Sequence, residues 1–222
     1  MSKQGLSKTK QGLVIWTAVL AAFVLGAALP AGAEVDKPYR VRGSIEAVQG
    51  NTLTIKTRDG ETVDLTLKDD TRVLTVRPSS LSQIKKGDYV GLTSIDAGGK
   101  RVAIEAHIFA EDLRGTAEGH VPWDLIKEPN TMTNATVVKV EAVGNQHELK
   151  VDYKQGQGDQ KTAGSQTIYV PDDLSVVYLE KAPDRSVLKA GKETFAVVRD
   201  EADGSTTALA VVVGVDGASP PM

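Results

Sequence analysis

The chain contains no cysteine, which excludes a disulfide framework, a zinc ribbon, a thiol nucleophile and a lipid-bearing N-terminal cysteine. Aromatic residues make up only 5% and histidines number 3, so imidazole chemistry has few places to sit. No excess of basic charge is present: 26 Lys+Arg stand against 29 Asp+Glu, a net charge of −3. A dedicated nucleic-acid binder normally carries a basic footprint, so no nucleic-acid partner is expected. Apolar runs long enough for a polytopic membrane protein are missing as well. So are the nucleophile elbow, His-Glu-x-x-His, phosphate-binding loops and dinucleotide fingerprints. The expectation is a protein that is not an enzyme.

What is present begins with an address. Lys3, Lys8 and Lys10 open the chain without an acid, and Leu13 to Leu29 follow as 17 uncharged residues. Pro30 ends that run, and Ala31-Gly32-Ala33 places small side chains before Glu34. This is the order of a cleaved signal peptide, 1–33, and implies export, with the periplasm as destination. A retained single anchor is the alternative, but 17 residues in a helix reach only about 26 Å, against roughly 30 Å of hydrocarbon. Cleavage removes three lysines and no acid, leaving 23 basic against 29 acidic side chains, net −6, and no membrane span.

Beyond Val41 the apolar period is two. Leu53-Thr-Ile55-Lys, Val63-Asp-Leu65-Thr-Leu67 and Val102-Ala-Ile104-Glu-Ala106-His-Ile108 alternate as half-buried strands do, and Gly-, Asn- and Asp-rich turns separate them. The second half repeats the plan. Leu67 to Val73 aligns without gaps on Val170 to Val176, Ile84-Lys-Lys-Gly87 on Leu188-Lys-Ala-Gly191, and Gly99 to Ile108 on Gly204 to Val213. Ile45, Val48, Leu53 and Ile55 fall on Val137, Val140, Leu149 and Val151. Each copy reads three strands, a short helical connector and two strands, the order of an OB-fold barrel. The expected architecture is therefore all-β: tandem five-stranded OB-like antiparallel barrels with short helical connectors. Module 1 would span 34–110 and module 2 133–216, with a packed connector over 111–132 and a flexible tail over 217–222. Open antiparallel sheets or a single sandwich are the alternatives.

The run from Gly43 resembles a bacterial exported family of unknown function built from OB-like β-barrel repeats: Gly-x-Ile-x-x-Val-x-Gly-Asn-Thr-Leu-Thr-Ile, then Asp-Gly, Asp-Thr-Arg-Val and Ile-Lys-x-Gly-Asp-x-Val. The resemblance covers most of 40–110 and, more loosely, 133–216. It implies fold and export, and no reaction, substrate or cofactor.

Two readings compete for the binding residues. The connector carries His120, Trp123, Asp124 and Met132, and a flexible linker would avoid its Trp123, Leu125 and Ile126. Under the first reading the protein is a non-catalytic envelope component, structural or binding. It would meet an envelope protein, a peptide or a glycan at the interface of two modules, with Trp123 as a staple. Under the second, His120 and Met132 form a metal site: imidazole and thioether suit Cu(I) or another soft metal, beside an indole face. His107 is expected on the outer, solvated face of its strand with Ala103 and Glu105. The paired Asp69-Asp70 and Asp172-Asp173 are read as turn residues.

Overall fold

The structure, a computed structural model, describes residues 37–156, 158 and 160–220. The expected leader lies outside the described residues. Twelve strands follow in chain order: β1 (Tyr39–Gln49), β2 (Thr52–Thr57), β3 (Thr62–Ser79), β4 (Tyr89–Asp96), β5 (Arg101–Phe109), β6 (Gly119–Trp123), β7 (Asn130–Val143), β8 (Gln146–Gln155), β9 (Thr162–Pro171), β10 (Val176–Lys181), β11 (Glu193–Asp200) and β12 (Thr206–Gly214). The described residues hold no α-helix. The expected helical connectors are 3₁₀ turns, Leu81–Gln83 and Arg185–Val187, because only one apolar step, such as Leu81 to Ile84, has to be buried there.

Alternation dictates the strands. In β2, Leu53 and Ile55 are fully buried while Thr54 and Lys56 face outward. β1, β2 and β3 form an antiparallel meander. β3 then pairs in parallel with β12, β12 antiparallel with β11, and β11 antiparallel with β1, which closes a five-stranded barrel. Its interior is Val41, Ile45, Leu53, Leu65, Val198 and Val211 with their neighbours. A second circuit closes in the same order: β7, β8 and β9 as a meander, β9 parallel to β5, β5 antiparallel to β4, and β4 back onto β7. Val90, Leu92, Ile108, Leu149 and Ile168 fill it.

The barrels thus depart from the expected boundaries. Neither is made from 34–110 or 133–216 alone, and neither is purely antiparallel. Each takes three strands from one half of the chain and two from the other. β3 is the physical cause. Its 18 residues extend for roughly 60 Å, about three times an ordinary strand. Its first part pairs with β2 and its last part, Leu74–Ser79, with β10, so the chain leaves the first barrel and delivers β4 to the second. Between those parts a bulge lets Asp69 and Asp70 face solvent; Lys68 N–H donates to Thr71 Oγ1 and Thr71 Oγ1 donates to Ala208 O.

β10 knits the two circuits, antiparallel to β3 and parallel to β5, with Val76 opposite Leu179. These two residues form part of a third core between the barrels, with Leu74, Tyr89, Phe109, Met132, Val177, Phe195 and Val212. The expected packed connector contains β6, paired antiparallel with β7, because Gly119–Trp123 satisfies its backbone on that edge. Met132 belongs to β7. The expected flexible tail is packed through residue 220: Ala218 lies on the central core and Pro220 is buried.

Candidate functional site

The outer face of β5–β4–β7 carries two adjacent rows of side chains. One row is His107–Gly91–Asn134 and the next is Glu105–Thr93–Met132, each triplet aligned by strand register. A register shift between Thr93 and Ser94 throws Ile104 to a half-buried position. Ala103, Ala106 and Ile108 therefore face the barrel interior, while Glu105, His107 and Phe109 face away from it. That outward face is not solvated, contrary to the expectation for His107. The other barrel and β10 cover it, and His107 is 1% exposed and Glu105 2%.

Two such groups survive burial because they are bonded. Glu105 accepts at both oxygens, from Thr93 Oγ1 at 2.7 Å and from His107 Nδ1 at 2.6 Å. Thr93 Oγ1 also lies 3.8 Å from Met132 Sδ. Gly91 makes room for the imidazole: a Cβ there would stand 2.2 Å from His107 Nε2 and 2.7 Å from Asn134 Oδ1. Asn134 is fixed by donating Nδ2–H to the Ala117 carbonyl at 3.1 Å, which leaves its Oδ1 pointing over the same glycine.

These side chains open on a cavity of about 130 Å³ between the barrels, walled also by Leu74, Phe109, Trp123, Leu179 and Phe195. Three polar atoms at its residues are buried without a hydrogen-bond partner among the described residues: His107 Nε2, Asn134 Oδ1 and Trp123 Nε1. With Nδ1 turned to Glu105, Nε2 is the ring nitrogen left facing the cavity without a partner among the described residues. The arrangement can bind a small group that brings positive charge or hydrogen-bond donors to Nε2 and Oδ1.

The four residues singled out from the sequence divide. Register places Trp123 and Met132 on one face of the β6–β7 ribbon, and both line the cavity. His120 lies on the opposite face: its Nδ1 is 2.8 Å from Thr133 Oγ1 and its ring stacks on Tyr153. The expected His120–Met132 metal pair is therefore not formed, because successive side chains along a strand point to opposite faces and His120 stands opposite Thr133, the neighbour of Met132. Burial, then the nearby Arg101 charge, lowers the His120 pKa below its ordinary value. Asp124 is engaged by Arg42 at 2.7 Å and Arg40 at 3.1 Å, and Arg40 stacks 3.7 Å from the Trp123 ring. Burial pushes the Asp124 carboxyl up, but the two guanidiniums outweigh it and hold it below the usual carboxylate range. Asp124 clasps the connector to β1.

Glu105 and His107 are the residues that sequence reasoning missed. Their signal was a charged residue and a histidine two apart on one strand, hence on one face, without any hint of what covers it. Among the described residues, no group of three or more His, Cys, Asp or Glu is placed to hold a metal ion. No known protein family, no curated protein and no solved structure matches the chain.

Proposed function

We propose that this chain is an exported, non-catalytic binding protein of the bacterial cell envelope, built from two OB-like barrels that trade their last two strands, with its ligand seat in the cavity between them. The three buried polar atoms on His107, Asn134 and Trp123 carry this reading. An unsatisfied buried group costs about 1–3 kcal/mol, which a ligand with complementary groups recovers. A cavity of about 150 Å³ holds benzene, so about 130 Å³ suits an ion or a small ring.

Strand order supports the OB-like assignment, with the third and fifth strands of each circuit parallel. Matched registers support a repeated unit. Ile45 pairs with Ile55 and Val137 with Val151, and a bulge follows at the next residue in both. The leader's order and the resemblance to exported OB-like repeat proteins support the envelope.

The test is a thermal-shift series with benzene, phenol, aniline and imidazole, on the wild type and on Val197→Phe, which fills the half-exposed rim of the cavity. The expected result is a raised Tm for at least one probe in the wild type, lost in the variant. No shift with any probe, or equal shifts in both proteins, would overturn the seat.

A further inference from the structure

We infer that the cavity is a site for a soft monovalent cation of the Cu(I) class, ligated by His107 Nε2 and Met132 Sδ with Asn134 Oδ1 alongside. This rests on reading the cavity as the ligand seat, and it names the ligand.

The first support is the histidine's second bond. A metal-binding imidazole characteristically gives its other N–H to a carboxylate, which fixes the tautomer and raises the basicity of the free nitrogen. His107 has that partner in Glu105 at 2.6 Å, while its Nε2 is buried, unpartnered among the described residues and part of the cavity wall.

The second support is the division of roles. Glu105 is engaged at both oxygens, by Thr93 and by His107, so it holds the imidazole in place and is not itself available as a ligand, which leaves His107 Nε2 as the atom facing the cavity.

The third support is the donor set. Imidazole nitrogen and thioether sulfur favour a soft d¹⁰ cation, which accepts low coordination. Zinc wants four N, S or carboxylate ligands and calcium six to eight oxygens, and the cavity offers neither set. Trp123 and Phe109 add aromatic walls, which tolerate a cation better than aliphatic ones, while Arg72, an exposed residue that also lines the cavity, is the one like charge that such a cation would meet there.

Silver(I) is the redox-inert probe. It is titrated as the nitrate, in chloride-free buffer, into the protein carrying Trp16→Phe so that Trp123 alone reports. The expected result is a change in emission saturating at one equivalent. Met132→Leu, which keeps side-chain volume, should weaken binding at least tenfold, and His107→Gln should do the same. His120→Asn should bind as the parent does. No saturable change at micromolar silver, parental binding by Met132→Leu, or loss of binding in His120→Asn would overturn the metal site. The Met132 variant keeps the test decisive if His107→Gln does not fold. Should silver fail while the small-molecule probes still stabilise the wild type and not Val197→Phe, the cation is wrong and the seat stands. If both fail, the seat falls with it.

Discussion

Gly91 shows how one missing methyl group decides the chemistry of the centre. With hydrogen in place of Cβ, the His107 ring lies across β4 and reaches toward Asn134; a methyl carbon would stand 2.2 Å from the ring. Gly91→Ala should therefore cost about 1–3 kcal/mol, the range for overpacking a filled site, read as a lowered urea midpoint with unchanged slope. A Gly91→Ala protein as stable as the wild type would mean that the imidazole lies elsewhere. His120 behaves differently. Its folded pKa is lowered, chiefly by burial, so the unfolded chain takes up a proton first as pH falls. Stability linked to it is present above about pH 6.5 and declines as pH drops through the folded value. His120→Gln should remove that share, so the wild type should lose more stability than the variant between pH 7.5 and pH 5. At this scale the sequence exposed the polar identities and not their surroundings. Met132 and Trp123 were recognisable as unusual, whereas His107 looked like a surface histidine because the residues across the cavity from it, Leu74, Leu179, Phe195 and Val212 among them, lie far from it in the chain.

Strands were legible for the same reason that their partners were not. Alternation in Leu53-Thr-Ile55-Lys or Val102 to Ile108 marks a half-buried strand wherever it pairs, and turns rich in glycine mark its ends. Both halves carry the same order of strands, so β4–β5 and β11–β12 suit either barrel equally well. The choice depends on the unbroken run of β3, whose bulge at Asp69-Asp70 reads in sequence as a strand end. The absence of cysteine provides a clean check of the exchange. Ser44 on β1 stands opposite Glu193 on β11. In Ser44→Cys/Glu193→Cys, mild oxidation should give an intramolecular disulfide joining the two halves of a monomer, visible as faster migration without reductant. Free thiols after oxidation, or crosslinking only between chains, would show that β1 pairs with a strand of its own half.

Taken whole, the molecule is two small barrels held by a third core that neither could form alone. Val76 and Leu179, Phe109 and Phe195, and Trp123 under the Arg40 guanidinium pack where the circuits meet. Each barrel has few residues with which to bury a core, and no disulfide reinforces it, so the shared core and the traded strands carry part of its stability. An oxidising compartment would leave such a chain unaffected, in keeping with the proposed export. Sequencing the N-terminus of the protein recovered from an envelope fraction should read from Glu34; a chain that keeps residues 1–33 in the membrane would contradict cleavage. The centre of the molecule has a more direct test. Nitrogen-15 NMR of the imidazoles reports which ring nitrogen of each histidine carries the proton. For His107 the expected result is a proton on Nδ1, protected from solvent exchange, and a bare Nε2 whose resonance moves when silver is added. A protonated Nε2, or a His107 ring exchanging with water as freely as an exposed one, would contradict the lone pair on which the proposed seat depends.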